Sequence, residues 1–169
     1  MKVFLNPGHD LVLDPGACGH NLKEAEIVHQ VGRLVEKYLV AAGVQVVGNV
    51  QDDDLHLVCF SANQSGADIF ISIHCNAAAN PLAKGTETFV YDFDSQANKL
   101  ATLVQKQIVT SLETLNRGVK EANFYVLTKT SMPAILVELA FISNEDDAEL
   151  LKTRADEFAR EIARGVTDF

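Results

Sequence analysis

Two rhythms of apolar and polar residues alternate along the chain, one of period two and one of about 3.6 residues. Lys2 to Asn6 predicts a short first strand, and the Gly-, Pro- and Asp-punctuated stretch from Pro7 to about Asn21 predicts a long, functional loop. Ile27, Val28, Val31, Leu34, Val35, Tyr38, Leu39 and Ala42 recur at helical spacing, and Gly43 stands where a C-terminal cap belongs. Val44 to Val47 predicts a strand, and Leu55, Val58, Cys59 and Ala62 predict a helix ending near Gly66. Ile69 to His74 is a nearly continuous apolar run, as in a strand covered on both faces. Thr86 to Tyr91 predicts another strand, and Leu100, Leu103, Val104, Ile108 and Leu112 a third long helix. Phe124 to Leu127 and Ala134 to Glu138 read as the last two strands, flanking a turn-like stretch from Thr128 to Pro133. Ser143 or Asn144 then begins the terminal helices, with Glu145, Asp146 and Asp147 where the macrodipole favours acids. This alternation implies an α/β fold over residues 1–169 as one domain: a three-layer sandwich with a mostly parallel central sheet of about six strands and helices on both faces.

Composition narrows the possible partners. With 47% hydrophobic and 22% charged residues, the chain has the make-up of a folded soluble domain. A formal charge of -9 disfavours nucleic acid and anionic membrane, both of which require a cationic surface. Any polymer substrate must therefore be recognised in a local cleft. Cys18, Cys59 and Cys75 are odd in number and lack C-x-x-C spacing, so they read as free thiols. No apolar run reaches the ~20 residues of a membrane span, and Met1 leads straight into a strand, so the chain carries no export signal or begins downstream of one.

In parallel sheets ligands gather where strands end, and three chemical residues are predicted there. His9 lies just past the first strand, His74 closes the apolar strand, and Glu138 closes the run Ile135 to Val137. A carboxylate in such a run requires a metal, a cation or hydrogen bonds. Glu24 lies three and four residues before Ile27 and Val28 and shares their inward face, whereas Glu26 points elsewhere. Two imidazoles and a carboxylate with an open fourth position form a catalytic zinc arrangement. Each member has a plainer explanation as well. Glu24 stands three residues after Asn21, the spacing of a capping box. His9 could order a Gly-rich turn, and His74 could be a hydrogen-bonded strand-end histidine.

At these residues the chain resembles the zinc-dependent N-acetylmuramoyl-L-alanine amidases of bacterial autolysins and phage endolysins. The resemblance rests on Asn6 to His9, on Asn21 to Glu24, on Gly66 to Asp68 with Ser72 to Ala77, on Pro133 to Asn144, and on Arg117 to Lys120. It implies one zinc ion held by His9, Glu24 and His74, with Glu138 as the catalytic carboxylate that moves a proton from water to the leaving amine. It also implies a peptidoglycan substrate, cut between N-acetylmuramic acid and L-alanine, and therefore work at the cell wall. Asn76, Arg117 and Lys120 are candidate substrate-binding residues, the two cations for a stem-peptide carboxylate.

The chain departs from the family pattern at Asn6 and Asp10, where aspartate and glycine are commoner, and at Leu139 and Ala140, where glycine often stands. Neither departure removes a ligand. The short connection from Ala77 to Gly85 leaves no room for the occluding helix of regulated members. His20 reads as an exposed loop residue, His29 and His56 as solvent-facing helix residues, and Glu87 as lining a cleft or facing water. Two other readings stand beside this one: a zinc peptidase acting on the stem peptide, which shares the metal logic, and a wall-binding module without turnover, against which the intact Glu138 argues. A nucleotide-binding domain fits poorly, because the first strand leads into neither G-x-G-x-x-G nor a P-loop.

Overall fold

The structure is a computed structural model that describes residues Met1–Phe169. Eight strands and six helices follow in the order β1 (Lys2–Pro7), β2 (Cys18–Gly19), β3 (Leu22–Lys23), α1 (Glu24–Ala41), β4 (Gln45–Asn49), α2 (Leu55–Gln64), β5 (Ile69–Asn76) and β6 (Thr86–Val90). Then come α3 (Gln96–Leu112), β7 (Asn116–Glu121), α4 (Tyr125–Lys129), β8 (Ala134–Phe141), α5 (Glu145–Thr153) and α6 (Ala155–Thr167). Six strands form one sheet in the order β4-β1-β5-β8-β6-β7, and only the β6–β8 pairing is antiparallel. The three-layer α/β sandwich with a mostly parallel six-stranded sheet is thus present.

The period-two alternation divides the strand residues between two unequal layers. Val3 and Leu5, Ile69, Ile71 and Ile73, and Ile135, Val137 and Leu139 face α1, α3 and α6 and build the larger core. Phe4, Phe70, Ala134 and Leu136 point the other way, against Val58 and Ala62 of α2 and Val126 and Leu127 of α4. These two short helices cover only part of their face. Beyond their cover the same side of the sheet carries Asn6, His74 and Glu138.

Three details differ from the sequence reading. First, Phe124 to Leu127 is not a strand. Tyr125–Lys129 is helical, with Val126 and Leu127 buried and Phe124 stacked edge-on against Phe89 at 5.1 Å. The missing strand is Asn116–Glu121, whose nearly all-polar sequence suits a sheet edge that pairs on one side only. Second, the long loop contains a small hairpin, β2 with β3, turning at His20 and Asn21, both of positive φ (50° and 61°). That is the backbone of a two-residue primed turn. Third, Asn21 is committed to this turn and the N-cap of α1 is Lys23, so the capping box is not formed and the Glu24 side chain is free for other partners.

Candidate metal centre

His9, Glu24 and His74 come from three separate segments and meet at the carboxyl ends of β1 and β5. His9 follows β1, Glu24 opens α1, and His74 lies within β5. Their donor atoms lie within 4.8 Å of one another. His9 Nε2 is 3.0 Å from Glu24 Oε2, and His74 Nδ1 is 2.9 Å from Glu24 Oε1. Two backbone amides complete the carboxylate's partners: Ala17 N donates to Oε2 at 2.8 Å and Cys75 N to Oε1 at 2.9 Å. Glu24 is 3% exposed, so these bonds replace water rather than compete with it.

The glycines beside the site are there for space. A Cβ on Gly8 would sit 2.1 Å from the His74 ring, and one on Gly16, which also has φ +68°, would sit 2.6 Å from the His9 ring and 2.7 Å from Glu24. His9 itself adopts φ 62°, a left-handed conformation that costs a non-glycine residue about 1 kcal/mol or more. Its ring is fixed from behind by Asp14, to whose Oδ2 the Nδ1 donates at 2.7 Å. That bond leaves Nε2 to face the site, as a carboxylate behind a ligating imidazole does. The sequence offers Asp10 and Asp14 in the same loop and no signal to choose between them. Asp10 instead accepts from Val12 N and Leu13 N.

Charge is concentrated here. Burial opposes ionisation of Glu24, yet hydrogen bonds from His74 and His9 outweigh it and hold the carboxyl far below the usual range. The hydrogen bond to Glu24, helped by Asp14 against burial, raises His9 to about 9. Glu138 behaves oppositely: burial first, then the charges of Glu24 and Glu87, push it up to about 8. Its Oε2 is buried and has no hydrogen-bond partner. Two imidazole nitrogens, a carboxylate between them and an orphaned carboxylate oxygen nearby form a donor set that fits a divalent cation. These residues are therefore a possible metal-binding triad.

His74 and Glu138 do not close their strands as the sequence suggested. β5 continues to Asn76 and β8 to Phe141, and the two residues are direct register partners, with Glu87 paired to Glu138 from the other side. The chemistry thus runs as a row across the sheet face. His9, His74 and Glu138 line a cleft of about 300 Å3 whose walls include Asp52, Leu55, Phe124 and Tyr125, none of which the sequence marks as a site residue.

Asn76, Arg117 and Lys120 meet at the far end of the row. Asn76 Nδ2 donates to Glu87 Oε1 at 2.6 Å, Arg117 Nε donates to Glu87 Oε2 at 2.8 Å, and Lys120 Nζ is paired with the same Oε2. Glu87 neither lines the cleft nor faces water: it is 5% exposed at the centre of this cluster. Burial would raise its pKa, but Lys120 and Arg117 hold it below the usual range. Of the remaining candidates, His20, His56 and Cys18 are exposed and Cys75 is buried. His29 is half-buried rather than solvent-facing and bonds Gln51.

Residues 3–168 match the family described as N-acetylmuramoyl-L-alanine amidase. The chain is 38% identical to YqiI of Bacillus subtilis over 98% of this chain and 81% of that one. It is 36% identical to the N-acetylmuramoyl-L-alanine amidase LytC of the same organism, over 99% of this chain but 35% of LytC. Among solved structures, the N-acetylmuramoyl-L-alanine amidase AmiC2 of Nostoc punctiforme superposes with a TM-score of 0.92 at 34% identity, covering 99% of this chain and 96% of that one.

Proposed function

Because the chain belongs to the N-acetylmuramoyl-L-alanine amidase family, we infer that it is a zinc enzyme that hydrolyses the amide between N-acetylmuramic acid and L-alanine in peptidoglycan. The observation that carries this reading is the convergence of His9, Glu24 and His74, two of which line one cleft with Glu138, whose Oε2 is buried and without a partner. His9, Glu24 and His74 would hold one zinc ion, which when bound polarises the scissile carbonyl and acidifies water.

The chain's own groups do the rest. Asp14 keeps the His9 proton on Nδ1, and the amides of Ala17 and Cys75 hold both Glu24 oxygens in place. Glu138 takes a proton from the attacking water, whose oxygen joins the lactyl carbonyl carbon. As the C–N bond breaks, Glu138 passes that proton to the departing amine of L-alanine. Burial beside Glu24 and Glu87 favours the protonated carboxyl in the metal-free chain, and a bound cation would oppose that shift, so that Glu138 ionises before it accepts the proton. The products are a lactyl carboxylate and a free stem peptide. Arg117 and Lys120 place two positive charges against the single carboxylate of Glu87 while their side chains stay 31% and 41% exposed, which supports a stem-peptide carboxylate binding beside them, with Asn76 bracing Glu87. Such an enzyme acts on the wall, outside the cytoplasm.

Digestion of purified peptidoglycan tests the bond. A new N-terminal alanine on the released peptide is expected, whereas a new end inside the stem would overturn the amidase reading in favour of a peptidase. Metal analysis of the gently purified chain tests the ion, with about one zinc per chain expected for a triad plus one open position.

A further inference from the structure

The three ligand-bearing segments are tied to one another pairwise. Gly8 N donates to Ile73 O at 2.9 Å, joining the neighbours of His9 and His74. Cys75 N donates to Glu24 Oε1 at 2.9 Å, joining Glu24 to the β5 strand. The remaining pair, the His9 turn and the start of α1, is spanned by the side chain of Gln51. Its Nε2 donates to Gly8 O at 3.0 Å and to Ala25 O at 2.9 Å, the carbonyls next to His9 and Glu24.

The orientation of this amide is determined by its partners. Both carbonyl oxygens can only accept, so the amide nitrogen must face them and use both of its N–H groups. Oε1 then requires a donor, and His29 Nδ1 supplies one at 2.8 Å. His29 stands four residues after Ala25 on the same helix, so α1 both receives one of the amide's bonds and sets its rotamer. Gln51 and His29 border an open groove of about 730 Å3, away from the apolar core.

We infer that Gln51, oriented by His29, is a positioning residue of the metal centre that sets the separation between the His9 turn and the Glu24 end of α1. The inference rests on the metal reading above. It touches no ligand atom and acts only through the two backbones it joins. The partners that orient ligands typically change metal affinity 10- to 100-fold when removed, roughly the effect to be read here.

The test measures zinc affinity by competition with a chromophoric chelator, together with the visible spectrum of the cobalt-loaded protein. Gln51→Met, which keeps length but removes both donors, is expected to bind zinc about 10- to 100-fold more weakly and to alter the cobalt bands. Gln51→Lys, whose ammonium can still donate to both carbonyls, is expected to recover most of that loss. His29→Ala should weaken zinc in the same direction by less. Wild-type zinc affinity and an unchanged cobalt spectrum in Gln51→Met would overturn the inference alone. A wild-type chain that holds no zinc would overturn the metal reading and this inference with it. Should Gln51→Met fail to fold, His29→Ala decides: weaker zinc and shifted bands support the role, and unchanged values refute it.

Discussion

Two buried carboxylates stand on either side of Glu138, and they are neutralised in opposite ways. Glu87, at the β6–β7 end of the row, is matched by Arg117 and Lys120. Glu24, at the β1–β5 end, is matched by the imidazoles of His9 and His74. Guanidinium and ammonium groups are donors only, so they complete an ion pair and leave no lone pair to offer. An imidazole can exchange its proton for a metal, which makes the Glu24 cluster exchangeable where the Glu87 cluster is closed. Glu138, between them, has neither kind of partner, so its Oε2 is orphaned, while burial and then the charges of Glu24 and Glu87 raise its pKa.

The exchangeable end is the more vulnerable of the two. His74→Ala removes one of three donors, and the expected outcome is a zinc content near zero with turnover lost, read by metal analysis and muropeptide release. Next in size is Glu138→Gln, which should retain zinc while kcat falls about 10^2- to 10^4-fold, the usual contribution of a positioned proton carrier. Full activity in that variant would refute its assigned role.

The same substitution also changes how stability depends on pH. In chelator-treated protein the raised pKa of Glu138 means that the fold favours its protonated form. That contribution is complete below about 4.5, the ordinary glutamate range, and is lost as pH rises through about 8. Glu138→Gln should therefore gain stability relative to wild type across this window. A gain of a few kcal/mol is expected, at about 1.4 kcal/mol per pKa unit, measured by urea unfolding at pH 5 and pH 8.5. A constant difference between the two pH values would contradict it.

At the closed end, Glu87→Gln leaves two cations facing a neutral amide. Because both are partly exposed, the expected destabilisation is about 1–3 kcal/mol rather than the larger figure for a fully buried pair. Zinc content should not change. Lys120→Met is the mildest variant: stability should shift by less than about 1 kcal/mol. KM for muropeptides should rise with kcat retained, and an unchanged KM would remove Lys120 from substrate binding.

Much of this was legible from residue spacing. The long amphipathic helix, the apolar β5 strand and the alternation of strands with helices are local periodicities, and a local pattern survives into the fold when packing does not oppose it. Where it failed, the competing terms were not local. Phe124 to Leu127 has the β-branched and aromatic content of a strand, but α4 forms because Val126 and Leu127 bury against Leu136 and Ala134. Asn116–Glu121 lacks the apolar pattern that would predict a strand, yet pairing along one side of β6 makes it one.

Local spacing fixes the inventory and its phasing: a helix that turns Glu24 inward with Ile27 and Val28, and two apolar strands interrupted by His74 and Glu138. Which groups meet is settled by the packed sheet. The register of β5, β8 and β6 sets His74, Glu138 and Glu87 in a row, Asp14 rather than Asp10 backs His9, and Gln51 bridges Gly8 and Ala25. The difference is one of range. Side-chain direction follows from neighbours in sequence, whereas a hydrogen bond or ion pair between segments dozens of residues apart exists only once the sheet has brought them to about 3 Å.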